Sequence, residues 1–181
     1  PDPSSQPTSS IGGNVSTNAG GPHCLAYGVT SNHVLALDVV LADGSVARLG
    51  SEAPETSGYD LRAVMVGSEG TLGVVAAVCV RLTPLPVAVR TMLFDFETVE
   101  DCAATVSGII ASGVVPAAVE MMDRGIVVAA ERFAHAGYPT DAAAILIVEV
   151  DGTAAAVEAQ AVAVEAAARS NRTRNVRVAV D

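Results

Sequence analysis

Between Ile11 and Gly21 the chain reads Ile-Gly-Gly-Asn-Val-Ser-Thr-Asn-Ala-Gly-Gly. Four glycines and two asparagines in so short a stretch let backbone amides come close to a ligand, because glycine lacks the Cβ that blocks approach. Amides turned to one side make a concave anion site. The same composition also describes an ordinary loop. A second stretch, Gly67-Ser68-Glu69-Gly70-Thr71-Leu72-Gly73-Val74-Val75, reads as a tight turn entering a buried strand. By itself it reads best as a plain connection.

Other reactive side chains have plainer explanations. His33 and His135 lack neighbours at metal-ligand spacing and read as structural or surface residues. Cys24 lies near the first glycine stretch but reads as a small thiol rather than a redox centre. Glu120, Asp123 and Glu149 resemble a set of paired acids. The simpler reading makes Asp123 a helix cap and places the glutamates on exposed faces. No catalytic residue and no metal site is assigned.

The 181 residues carry 20 acids against 10 arginines and no lysine, a formal charge of −10. Such a chain repels phosphate backbones, which argues against nucleic-acid binding. No apolar run reaches the roughly 18 residues of a membrane span. Cys24, Cys79 and Cys102 are odd in number and widely spaced, which points to reduced thiols and a cytoplasmic protein rather than a disulfide framework.

The elements that must position these residues follow from punctuation and alternation. Residues 1–33, rich in Gly, Ser, Pro and Asn, are expected to turn repeatedly. Val34–Leu41 and Ser45–Leu49 alternate around Asp43-Gly44, a hairpin signal. Asp60–Val66 reads as a short helix and Val74–Leu82 as a strand. Thr83-Pro84-Leu85-Pro86 breaks the pattern, and a domain boundary is placed there. Beyond it, strands at 87–96, 117–122, 143–150 and 176–180 alternate with three helices. Thr98 and Asp123 serve as caps for two of them, and the third is a long Ala-rich segment ending near Arg169. The expectation is an open sheet with helices on one face.

Taken together and in order, the segments resemble the flavin domain of the vanillyl-alcohol oxidase (PCMH) type of FAD-linked oxidases. They are Pro-Asp-Pro-Ser-Ser-Gln-Pro-Thr, Ile-Gly-Gly-Asn-x-x-x-Asn-Ala-Gly-Gly, Tyr27-Gly28-Val29-Thr30, Val40-Leu41-Ala42-Asp43-Gly44, Gly58-Tyr59-Asp60-Leu61 and Gly-Ser-Glu-Gly-Thr-Leu-Gly-Val. The likeness is nearest to the glycolate oxidase flavin subunit and to D-lactate and D-2-hydroxyglutarate dehydrogenases. It implies an α+β fold. Residues 1–86 would form the second half of an FAD-binding domain, and residues 87–181 the start of a ferredoxin-like cap domain.

The resemblance also places residues on FAD. Pro1, Asp2, Pro3, Gly12, Gly13, Asn14, Ser16, Thr17, Asn18 and Ala19 fall on its first lining segment. Glu69, Gly70, Gly73, Val74 and Val75 fall on its second. It implies oxidation of a small D-2-hydroxy acid by hydride transfer to flavin N5, and an iron–sulfur or other electron-accepting subunit as partner. The family's pyrophosphate loop would precede Pro1, and its His-rich segment with the catalytic base would follow Asp181. The chain is therefore expected to be a fragment. The competing expectation is a truncated, non-catalytic product that binds no flavin by itself.

Overall fold

The structure is a computed structural model that describes residues 3–53 and 58–179. It divides into two compact units, Pro1–Pro84 and Leu85–Asp181. The first unit runs α1 (Ile11–Thr17), α2 (Cys24–Tyr27), a 3-10 turn (Thr30–Asn32), β1 (Val34–Val40), β2 (Val46–Gly50), α3 (Leu61–Met65) and β3 (Val74–Val80). The second runs β4 (Ala88–Phe96), α4 (Val99–Ala111), β5 (Ala118–Asp123), α5 (Arg124–Ala134), β6 (Ala144–Gly152), α6 (Ala154–Ser170) and β7 (Asn175–Val178).

In the first unit β1 is the middle strand of a three-stranded antiparallel sheet, ordered β2-β1-β3. Its apolar run explains that position, since both edges of β1 carry a neighbour while β2 and β3 each carry one. Val34, Leu37 and Val39 are buried with Val15 of α1 and with Met65 and Val66 at the end of α3. Full burial of each such side chain contributes about 1.5–3 kcal/mol. The glycine-rich segment is thus anchored to the sheet through Val15, which is fully buried.

Two expectations need correction. Ile11–Thr17 is not a succession of turns but a short α-helix. Ser10 sets its start: in an extended conformation, its hydroxyl accepts from the Gly13 amide at 3.0 Å. An N-cap of this kind is worth about 1 kcal/mol, which offsets much of the propensity cost of two glycines. Neither Gly12 nor Gly13 takes a positive φ. Helices also do not all share one face of the second sheet.

That sheet is antiparallel with order β5-β6-β4-β7. With α4 between β4 and β5 and α6 between β6 and β7, this is the ferredoxin-like βαββαβ arrangement. Alternation along the strands sends Met92, Phe94 and Phe96 of β4, and Leu146, Val148 and Val150 of β6, to one face. There they pack on Cys102 and Ile109 of α4 and on Val157, Ala161, Val164 and Ala168 of α6. The Ala-rich spacing of α6 lets it lie close to the sheet. The alternate residues Leu93 and Ile145 point the other way and pack with Val127 of α5 and with Tyr138. So α5, inserted between β5 and β6, covers part of the opposite face.

The caps read from the sequence are in place. The Thr98 hydroxyl accepts from the Asp101 amide at 3.1 Å and the Asp123 carboxylate from Ile126 at 3.0 Å; Asp60, which the sequence reading did not single out as a cap, accepts from Ala63 at 3.1 Å. Asp123 therefore has the capping role expected of it. Glu120 is exposed, but Glu149 is half-buried and accepts from the Thr91 hydroxyl at 3.0 Å.

Candidate functional site

The two glycine-rich stretches are 46 residues apart in sequence yet bonded to each other. The Gly67 amide donates to the Val15 carbonyl at 2.9 Å, and the Glu69 amide to the Ser16 carbonyl at 2.8 Å. These carbonyls lie in the last turn of α1, where helix ends leave carbonyls short of partners; the Val15 carbonyl also accepts from the Asn18 amide at 3.2 Å. The second stretch therefore completes the first. Asn18 ends α1 in the left-handed region at φ 48°, and Glu69 lies in the same region at φ 51°.

A second layer holds Asn18 and Ala19. The Asn18 carboxamide oxygen accepts from the Ser31 amide at 2.9 Å. The Thr30 hydroxyl donates to the Ala19 carbonyl at 2.7 Å, and the Thr30 amide to the same oxygen at 3.1 Å. Ser10, Thr30, Ser31 and Gly67 build this junction, although the sequence reading did not place them on the cofactor. Thr30 and Gly67 stood inside segments that carried the resemblance, and Ser10 is the polar residue directly before Ile11.

Close approach is allowed at some glycines and consumed at others. A Cβ on Gly12 or on Gly70 would meet nothing within 4 Å, so bare backbone faces open space at both. A Cβ on Gly73 would lie 2.7 Å from Val39 Cγ1 and 2.9 Å from the Val40 carbonyl. Gly73 therefore serves the contact of β3 with β1. Gly13, Thr17, Glu69, Gly70 and Val74 are exposed, and Gly12, Asn14, Ser16, Asn18, Ala19 and Val75 are half-buried. Pro3 is buried, with its carbonyl accepting from Gln6 at 2.8 Å. Pro1 and Asp2 lie outside the described residues.

The nearby histidine is withdrawn from chemistry. His33 is 9 % exposed, and its Nε2 is buried with no hydrogen-bond partner. Burial is the main cause that holds its imidazole below the ordinary histidine value. His135 caps the end of α5 in a left-handed conformation. Among the described residues no group of three His, Cys, Asp or Glu side chains could hold a metal ion. In the second unit a cavity of about 370 Å³ opens on the sheet face opposite α4 and α6. Leu93, Tyr138 and Ile147 line it beside the Arg177 guanidinium, which donates to the Gly137 carbonyl at 2.8 Å.

Comparison with known proteins places this geometry. The family model described as FAD linked oxidases, C-terminal domain, matches residues 85–181, and that of an FAD binding domain matches residues 1–50. The chain belongs to the FAD-linked oxidases. It is 50 % identical over 158 residues to the glycolate oxidase subunit GlcD of Escherichia coli K12, covering 87 % of this chain and 32 % of that protein. It is 42 % identical over 180 residues to the same-named subunit of Bacillus subtilis, covering 99 % of this chain and 38 % of that one. The D-lactate dehydrogenase of Anaerostipes hadrus is 38 % identical over 159 residues, at 84 % and 33 % coverage. The chain spans about a third of the length of these curated relatives. Among solved structures, an alkyldihydroxyacetonephosphate synthase superposes with a TM-score of 0.78 at 21 % identity, over 95 % of this chain and 34 % of that one. At that identity the likeness shows the fold alone.

For this family the relevant group is FAD, and the residues present fit it. A dinucleotide needs bare backbone for close approach, amide donors for its phosphates or flavin carbonyls, and apolar surface beside its ring. Gly12 and Gly70 supply open backbone, Asn14 a half-buried carboxamide, and Ile11 and Val74 exposed apolar side chains.

Proposed function

We propose that this chain is part of an FAD-dependent oxidoreductase that oxidises a small D-2-hydroxy acid such as glycolate or D-lactate. The observation that carries the reading is the junction of α1 with the Gly67–Gly70 turn. Two segments expected at the same cofactor are held together by two backbone hydrogen bonds. Residues 1–86 form part of the FAD-binding domain, and residues 87–181 part of the cap over the substrate. The first lining segment is Pro1, Asp2, Pro3, Gly12, Gly13, Asn14, Ser16, Thr17, Asn18 and Ala19. The second is Glu69, Gly70, Gly73, Val74 and Val75.

When bound, FAD supplies the hydride acceptor, flavin N5. This chain's part is positional: open backbone at Gly12 and Gly70 admits the cofactor, and the Val15 and Ser16 carbonyl bonds fix its two walls relative to each other. The Arg177 cavity offers a cation and apolar walls, the chemistry that a small carboxylate with a short side chain requires. His33 is not assigned as base, since it is packed away. Relatives named as subunits support an electron-accepting partner protein, and three widely spaced cysteines support a reducing, cytoplasmic setting. No helix among the described residues is long and apolar enough to cross a membrane.

The test is to purify the protein expressed from its complete gene and measure bound flavin and dye reduction with glycolate, D-lactate and D-2-hydroxyglutarate. A yellow protein that reduces dye with at least one of them supports the reading. A colourless protein that neither takes up added FAD nor turns over sinks it.

A further inference from the structure

Where a plain βαββαβ unit would join β5 to β6 by a short turn, this chain inserts α5, and the segment after it builds a cavity on the sheet. Glu131, near the end of α5, accepts from the Tyr138 amide at 2.8 Å. Tyr138 packs with Leu93 against Val127 and Ile145. Between them Gly137 takes φ +75°, and its carbonyl accepts from Arg177 Nη1 at 2.8 Å. The cavity of about 370 Å³ has Leu93, Tyr138 and Ile147 as apolar walls, with Thr91 and Arg177 as its polar groups.

Strand register sets the charges around it. Leu93 pairs with Ile147 and with Arg177, and Thr91 pairs with Glu149. Period-two alternation therefore puts all five side chains on one face of the sheet. Arg174 is engaged by Asp95 and Asp141. Arg177 is held by the Gly137 carbonyl, and no carboxylate among the described residues pairs with it. Beside Thr91, Glu149 accepts from its hydroxyl at 3.0 Å. Glu120, opposite Ile147 on β5, is exposed on the same face. The face is thus cationic at β7 and anionic toward β6 and β5.

We propose, resting on the reading of the second unit as the cap over the substrate, that Arg177 binds the carboxylate of the 2-hydroxy acid and that Glu149 turns away acids with a second carboxylate. A guanidinium takes a carboxylate through two parallel N–H bonds. The Nη1 bond to Gly137 orients the group and leaves its Nε and Nη2 edge for that purpose. Leu93 and Ile147 receive the hydrogen or short alkyl group on C2. A dicarboxylate of 2-hydroxyglutarate length brings two charges to one cation. Its second carboxylate meets either apolar wall, where it is desolvated without a partner, or Glu149 and Glu120, which repel it.

The test uses the complete gene product. Phenylglyoxal, which modifies accessible guanidinium groups, is applied and the Arg177 peptide is followed by mass spectrometry. Saturating glycolate or D-lactate should slow its modification about tenfold. Glycolamide, which lacks the charge, and glutarate, which has two, should not. In Glu149→Gln, glutarate should protect as well. In turnover, Arg177→Gln should raise KM for glycolate and D-lactate about tenfold with flavin content unchanged. Arg177→Lys should restore part of that loss, since it keeps the charge but not the fork. Arg177 is exposed, so these variants keep the fold. An Arg177 that the reagent does not reach, equal protection by glycolamide, protection by glutarate in the unaltered protein, or an unchanged KM in Arg177→Gln each overturns the proposal. Protection by glycolate in a protein that binds no flavin and oxidises none of the acids would instead overturn the flavin reading and keep the carboxylate site.

Discussion

The Glu69 amide donates to the Ser16 carbonyl at 2.8 Å, closing the end of α1 with a segment from the far side of the sheet sequence. Gly67, two residues earlier, makes this possible. Its φ is +84°, and a Cβ there would lie 3.2 Å from Asn18 Cβ. Gly67→Ala should cost about 2 kcal/mol, from left-handed strain plus that contact. Gly44 has nearly the same φ, +82°, with nothing near its absent Cβ. Urea unfolding should therefore show Gly67→Ala as the more damaging of the two. Equal losses would mean that the junction does not hold α1.

Gly12 separates folding from cofactor binding. Because a Cβ there meets nothing, Gly12→Ala should leave the first unit intact or stabilise it by up to about 1 kcal/mol through helix propensity. In the complete gene product it should lower flavin occupancy if FAD lies against that backbone. Gly13→Val should lower occupancy as well, but its Cβ falls 3.2 Å from the Ser10 hydroxyl, so it disturbs the cap too. Unchanged flavin content in Gly12→Ala would remove Gly12 from the site.

His33 gives the first unit a pH dependence. Burial lowers its proton affinity below the ordinary value of 6.5. The unfolded chain then takes up a proton that the folded chain refuses. Stability is complete above that value and declines as pH falls below it. Asp60, Asp101, Glu131 and Asp141 also have lowered values, each held down first by a hydrogen bond: from Arg62, Arg172, the Tyr138 amide and Arg174 respectively. Their contribution is lost only below about pH 4. Thermal melts should therefore show an early decline between about pH 6.5 and 5 that His33→Gln removes. A decline that persists in the variant would trace to another group.

Asp95 is 2 % exposed and accepts from Arg174 Nε at 2.8 Å and Asn175 Nδ2 at 3.3 Å, which pins β7 to β4. Arg174→Ala leaves that carboxylate buried and short of its cation, at a cost of roughly 3 kcal/mol. Adding Asp95→Asn should recover part of the loss in the same unfolding assay. A double variant less stable than Arg174→Ala would show that Asp95 does not depend on the pair.

Cys102 is fully buried, and burial pushes its thiol up to about 11. Cys24 and Cys79 are half-buried. Iodoacetamide at neutral pH should modify Cys24 and Cys79 well before Cys102, because thiolate and access are both needed. Peptide mass mapping over time reads this. Early labelling of Cys102 would mean that α4 opens far more readily than its packing implies.

Much of this molecule was legible in the chain itself. Alternation and turn chemistry gave every strand, and Thr98 and Asp123 marked their helices, because caps and period-two burial are local properties. The ordered glycine segments gave the family and the candidate cofactor residues. What required tertiary structure was non-local. Local propensity makes Ile11–Thr17 look like turns, yet burial of Val15 and the Ser10 cap make it a helix. That the carbonyls of Val15 and Ser16 meet Gly67 and Glu69 depends on α1 and the end of α3 packing against the same residues of β1. The side of the sheet that α5 takes was equally hidden, because strand alternation supplies two apolar faces at Leu93 and Ile145 and at Phe94 and Leu146. Only the packed chain decides which helix covers which.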